Sequence, residues 1–410
     1  MSTFLLASDI KRFTASSSSA TSLLFSSRLR ASTTSSSRTS ASRFFTALQP
    51  RQRSYISASS SLRNIHREGG QIVPTDQPPC PVRTRPAIVY RDCLSRGTVQ
   101  TAGDFNVQKD IEELHKAFKS ADDKVITEIL SRRTNEQRQV IAKAYEEKYN
   151  TNLHAELQVD LSEPYRKAVS GLLEEPFIFL AKHVRHTLKS SALAHKDVPL
   201  LEILYPLEPQ EVDAIVQAYK EEYNQELEEE IGKQISGVFK DILIRLVTGK
   251  RSTHRKVDVP QRNKDLEYLR NNTAERLQSA DDDVIRIFGN SSLPQLSSIF
   301  LNFDKAGGCT LQEFIRNSGM EARSKEAFGV MVKSVYNRTG FYADQLHMAI
   351  KDISSGNDDK LMRIVISRSE IDLENIKDFF QSAYSHTLTD FVYDDTSGDY
   401  RNLLLRLVGM

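Results

Sequence analysis

The segment AYEEKYNTNL, residues 144–153, returns as AYKEEYNQEL at residues 218–227, an offset of 74. Ala, Tyr, Glu, Tyr, Asn and Leu stand in the same order in both. The doubled stretch reads as the end of one helix of a repeated unit. An aliphatic pair extends the register: Ile129-Leu130, Ile203-Leu204, Ile287-Phe288 and Ile364-Val365, at successive offsets of 74, 84 and 77. An aromatic follows each pair, at Tyr145, Tyr219, Phe303 and Tyr384. A Ser-led helix start comes later in each unit: LSEPY at Leu161, ISGVF at Ile235, NSGME at Asn317 and TSGDY at Thr396. Thr396 and Asp399 have capping-box spacing.

Helical periodicity accompanies the repeats. Ile111, Leu114 and Phe118 make one stripe. Ile141, Ala144, Tyr145 and Lys148 make another, with the Lys148 stem laid over its edge. Leu373, Ile376, Phe380 and Ala383 recur at steps of three and four, and Tyr400, Leu403, Leu404, Leu407 and Val408 close the chain. Each spacing gives a helix one apolar face. The period is too long for tetratricopeptide, ankyrin or HEAT arrays. It suits about five short helices per unit. The expected fold is all-α, in units over 106–174, 175–250, 262–338 and 339–410.

Residues 1–67 differ from the rest. They hold ten Lys or Arg against one acid, Asp9, so of the net +1 the remainder of the chain carries −8. Ser, Thr and Arg beside short apolar clusters give the composition of a mitochondrial transit peptide. RQRSYISASS, from Arg51, has the look of a presequence cleavage region. A disordered Ser-rich extension is the alternative. Residues 68–105, with Pro74, Pro79, Pro81 and Pro86, read as a linker. The acidic body does not stick to phosphate-rich surfaces by bulk charge, which argues against nucleic acid. There is no run of ~18 apolar residues to span a membrane. Cys80, Cys93 and Cys309 form no CxxC pair, so neither a disulfide framework nor a zinc site is indicated.

The last unit carries the most specific stretches: LMRIVISRSEIDLENIKDFF from Leu361 and YDDTSGDYRNLLLRLVGM from Tyr393. ILSRRTNEQRQVIAKAYEEKY from Ile129 is nearly as specific. In these residues the chain resembles the annexin family, over about 110–410. The resemblance implies a curved disc of four helical repeats. It also implies loops on the convex face that hold calcium and bridge it to phosphates of an anionic phospholipid surface, and hence a cytoplasmic, peripheral protein. In the family each loop reads roughly K-G-x-G-T-D, with an acid about 39 residues on. Calcium takes ~6–8 oxygens in flexible geometry; Gly lets a tight loop turn its carbonyls inward, and the distant carboxylate adds charge.

The resemblance carries over unevenly. Unit four reads KDISSGNDD from Lys351. Gly356-Asn357-Asp358 stands at Gly-Thr-Asp, and Asp395, 39 residues after Gly356, stands at the acid. Its implied calcium ligands are Ser355, Gly356, Asp358 and Asp395. Unit one reads KSADDK from Lys119, without Gly; a weaker site would use Asp160 and the carbonyls of Ala121 and Asp122. In unit two Gln234 replaces the acid, and in unit three the acid position falls near Arg316, so both sites read as lost. The family's polar centre keeps Arg133 and Arg368, expected in buried ion pairs, with Pro206 and Ser291 in their place in units two and three.

Other signals are weaker. KRSTHRK, 250–256, reads as a solvated basic linker. His183 and His186 lie at i and i+3 without a third metal ligand and read as a surface pair. No GxSxG, HExxH or dinucleotide fingerprint is present, and TGKRS lacks the earlier Gly of a phosphate loop. The sequence expectation is therefore a non-enzymatic, calcium-dependent phospholipid-binding protein with mostly degenerate sites. The competing expectation is a calcium-independent scaffold for protein partners on the same fold.

Overall fold

The computed structural model describes residues 95–157, 161–190, 195–351 and 357–410, and all regular structure among them is helical. Among the described residues α-helices come in four sets of five. Unit one holds Val107–Ser120, Asp123–Ser131, Asn135–Tyr149, Leu153–Glu156 and Glu163–Leu173. Unit two holds Pro176–Lys189, Asp197–Leu204, Pro209–Tyr223, Leu227–Gln234 and Val238–Val247. Unit four holds Arg338–Lys351, Asn357–Arg368, Leu373–Tyr384, Leu388–Asp395 and Gly398–Val408.

The doubled motif of the opening is a helix stop. Asn150 and Asn224 end the third helices in the left-handed region, at φ 53° and 49°, and their N–H groups bond the Glu146 and Lys220 carbonyls. Asn tolerates this conformation better than most residues, and it satisfies an otherwise orphan carbonyl. Gly308 and Ser385, at φ 74° and 60°, stop the third helices of units three and four. The four stops repeat at 74, 84 and 77, the same register as the aliphatic pairs. Three residues on, Leu153, Leu227, Leu311 and Leu388 are all buried and start the fourth helices.

Unit three departs from the pattern. Its first and third helices, Val259–Asn271 and Leu293–Gly307, are regular. Between them come a 3₁₀ turn, Ala274–Gln278, a short helix, Asp282–Ile285, and a π turn, Arg286–Asn290. Leu311–Arg316 and Ala322–Tyr336 complete the set. The π turn keeps Ile287 and Phe288 fully buried while Gly289 lies against Arg245. A Cβ at Gly289 would meet the Arg245 side chain at 3.0 Å, so the close approach uses the missing side chain.

One hydrophobic core runs through all four units. Asp123–Ser131 packs on Gly398–Val408, pairing units one and four; Asp197–Leu204 packs on Ala322–Tyr336, pairing two and three. Charged braces cross the units. Arg138 Nη2 meets Glu370 at 2.7 Å, Arg323 Nε meets Asp197 at 2.7 Å, and Lys360 Nζ meets Glu202 at 3.0 Å. Burial pushes the Arg138 guanidinium down to about 10, against the pull of Glu370. Arg133 sits in a fork on Asp110, at 2.7 and 3.0 Å, and Arg368 in a fork on Asp372, at 2.7 Å twice. Such pairs orient elements more than they stabilise them, and breaking one is costly.

Several local expectations change. No capping box forms at Thr396. Its hydroxyl turns back to the Val392 carbonyl, and Ser397 takes the cap position without a side-chain bond. Gly237 and Glu321, not the preceding serines, occupy the cap positions in units two and three. Capping boxes stand instead at Thr134 with Gln137 and Thr310 with Glu313. Ala383 is exposed, so its stripe ends at Phe380. KRSTHRK is not wholly solvated: Arg251 is buried, stacks 4.1 Å from the Tyr205 ring centre and donates to the Tyr205 and Phe288 carbonyls.

Residues 1–67 lie outside the described residues, as does the segment 68–94. The remainder of the stretch read as a linker is docked. Val99 N–H bonds Ser369 O, Glu374 N–H bonds Arg96 O, and the Thr98 hydroxyl donates to Leu407 O. Gly97 lies so close that a Cβ there would fall 2.5 Å from the Glu370 carbonyl carbon.

Candidate calcium loops

Unit four brings Asp358 and Asp395 together. Asp358 opens the helix Asn357–Arg368, and Asp395 ends Leu388–Asp395. Both are exposed. Partial desolvation, and then the charge of Asp358, raise the Asp395 carboxyl above its ordinary value. The buried Tyr400 holds the start of that helix, its hydroxyl 3.2 Å from the Asp358 carbonyl. The charge of Asp358 reaches Asp395, which sits at a helix C-terminus, where a negative charge is disfavoured. A cation between them relieves both penalties. The donor set, hard charged oxygens, suits calcium. Ser355 and Gly356, expected to add carbonyl oxygens, lie outside the described residues. Among the described residues no group of three His, Cys, Asp or Glu is placed to hold a metal by itself.

Unit one repeats part of this arrangement. Asp123 lies 235 residues before Asp358, and Tyr165 lies 235 before Tyr400. The Tyr165 hydroxyl bonds the Asp123 carbonyl at 2.8 Å, as Tyr400 does with Asp358. Burial, then Asp399 and Asp122, raise the Asp123 carboxyl. Asp123 was not among the residues singled out from sequence, and Asp399 was read only as a capping partner of Thr396; the 235-residue offset is the signal that finds Asp123. Of those singled out, Ala121 sits in the left-handed region at φ 51°. The Asp122 side chain caps Val125 N–H at 3.2 Å, and its carbonyl accepts from Ile126 N–H. That carbonyl faces into its own helix. Asp160 lies outside the described residues.

The cap register corrects unit three. It puts Ser318, 84 residues after Gln234 and 77 before Asp395, at the acid position expected near Arg316. Ser318 donates to Ile315 O and brings no charge. In unit two Gln234 accepts from Lys196.

His183 and His186 do not form a surface pair. His186 is exposed, while His183 is half-buried in a cavity of about 320 Å³ with Arg166, Lys167 and Lys182. Burial, then Arg363, His186 and Lys167, push His183 down to about 3. Glu174 and Asp359 also line this cavity and pair with Lys182 and Lys167, and among the described residues no third ligand joins the two histidines there.

Comparison with known proteins agrees with this architecture. The family model described as Annexin matches residues 109–172, 191–246 and 341–407, leaving the irregular unit three unmatched. Annexin A8 of Pan troglodytes is 32% identical over 316 residues, spanning 76% of this chain and 95% of the relative. The solved structure of annexin III superposes with a TM-score of 0.71 at 31% identity, over 77% of this chain and 98% of that one. Calcium-bound annexin (Sm)1 gives 0.67 at 28% identity, over 77% and 94%. Helix stops that share the register of the aliphatic pairs, five helices per unit among the described residues and a relative matched almost end to end lead to one conclusion: the chain belongs to the annexin family.

Proposed function

We propose that this annexin is a peripheral membrane protein that binds anionic phospholipid through calcium, with one principal site in unit four. The observation that carries the reading is that Asp395, 39 residues after Gly356, feels the charge of Asp358, which with burial raises its carboxyl. Calcium bound there, completed by the Ser355 and Gly356 carbonyls, would leave coordination positions for water and a lipid phosphate. Calcium-bound annexin (Sm)1 supports calcium as the ion. The protein acts by binding rather than catalysis.

Several sites on one surface gain ~10²–10⁴ in avidity over one. A chain with one principal loop forfeits most of that. Its calcium requirement should lie near that of weak modules, roughly 10⁻⁴–10⁻³ M. Pelleting with phosphatidylserine vesicles at graded calcium tests this. Half-maximal binding in that range is expected. Tight pelleting at micromolar calcium contradicts the count of sites, and pelleting indifferent to calcium favours the scaffold reading.

A further inference from the structure

Unit two has lost the acid of its loop, but it has not lost a positive charge. Lys196 lies 74 residues after Asp122, and Gln234 lies 74 after Asp160. The Lys196 side chain folds back, and its Nζ donates to the Leu188 carbonyl at 2.7 Å and to the Gln234 amide oxygen at 2.9 Å. Leu188 is the penultimate residue of Pro176–Lys189, and Gln234 is the last of Leu227–Gln234. Two helix C-termini therefore converge on one ammonium. Their last carbonyls lack helical partners, and their dipoles present negative ends.

We propose that the Lys196 ammonium occupies the cation position of unit two, making it a permanently filled, calcium-indifferent form of the loop. The inference rests on the reading of these loops as cation sites. An ammonium offers three donors and accepts nothing. A helix-end carbonyl and a neutral amide oxygen match it well. Calcium needs ~6–8 oxygens, usually with carboxylate charge, and Gln234 supplies one neutral oxygen. The donor set fits the lysine and not the metal. Unit three closes the same two segments by another route. Glu275 accepts from Gly319 N–H, and Gln278 accepts from Glu321 N–H at 3.4 Å. In both units without the acid, a side chain of the protein spans the gap that an ion would bridge.

The test uses the full chain carrying Asp395→Ala, so that unit four is silent whether or not it binds calcium. Lys196→Ala, Gln234→Glu and the double variant are compared with this parent by calorimetry, with and without millimolar calcium chloride. Calcium should raise Tm by about 2 °C in the double variant alone. Gln234→Glu by itself should not respond, because the ammonium meets the new carboxylate first. An equal calcium response in Gln234→Glu and the double variant overturns the proposal, since the lysine would then not hold the position. No response in the double variant overturns it too, since the position would not be a cation site. A failed pelleting experiment on the unaltered chain would instead count against the function proposed for unit four.

Discussion

Asp395→Ala should abolish calcium-dependent pelleting with phosphatidylserine vesicles, lowering the bound fraction at least about tenfold at millimolar calcium. Asp395 is the distant carboxylate of the principal loop, and the alanine removes its two oxygens and the charge that makes the site selective for a divalent ion. Neither the shortened, glycine-free loop of unit one nor the lysine-filled unit two is placed to compensate. The side chain is exposed, so the calcium-free stability should move by no more than about 0.5 kcal/mol. That separates lost binding from lost fold. If the variant pellets as the unaltered chain does, the phospholipid contact lies elsewhere and the scaffold reading gains.

The largest stability effect should come from Asp372→Ala. Arg368 and Asp372 have side chains only 4% and 5% exposed, so each is the other's replacement for water. The arginine also lies 4.8 Å from the Tyr342 ring centre. Truncating the carboxylate leaves a buried guanidinium unpaired, at a cost of about 3 kcal/mol. Thermal unfolding should show the drop in Tm. Arg96→Ala, which removes the exposed Asp378 pair, should move Tm little, because surface pairs contribute ~0–1 kcal/mol. Equal shifts in the two variants would mean that burial does not set the cost of these pairs.

The repeat architecture was legible because its punctuation is chemical. Asn150 and Asn224 mark the same left-handed stop, and the leucine three residues on marks the next buried start. The aliphatic pairs at 74, 84 and 77 share that register because the same helix–helix contact buries them. Local detail was less legible where tertiary contact outweighs local preference. Thr396 and Asp399 have capping-box spacing, yet the Thr396 hydroxyl bonds the preceding helix. The π turn at Arg286–Asn290 follows from burying Phe288 and bringing Gly289 to Arg245, and neither demand shows in a window of sequence. Arg251 reads as one cation in a basic run, but it is the one with two carbonyls and an aromatic ring to receive it.

The candidate site divides the same way. Asp395 and Asp358 stood out because the family spacing survives in unit four. Asp123 did not, since KSADDK is shortened and lacks Gly; only the offset of 235 and the matching tyrosine reveal its place. Lys196 was hidden for a different reason. A motif defined by acids and glycines has no term for a lysine that supplies the charge itself.

The most direct measurement is a crystal structure of the chain with calcium. The account predicts one ion in unit four, with Asp395 oxygens at ~2.3–2.6 Å and the Ser355 and Gly356 carbonyls completing its inner shell, while unit two keeps the Lys196 ammonium on Leu188 and Gln234. Calcium seated in unit two, or Asp395 left without an ion at millimolar calcium, would contradict it.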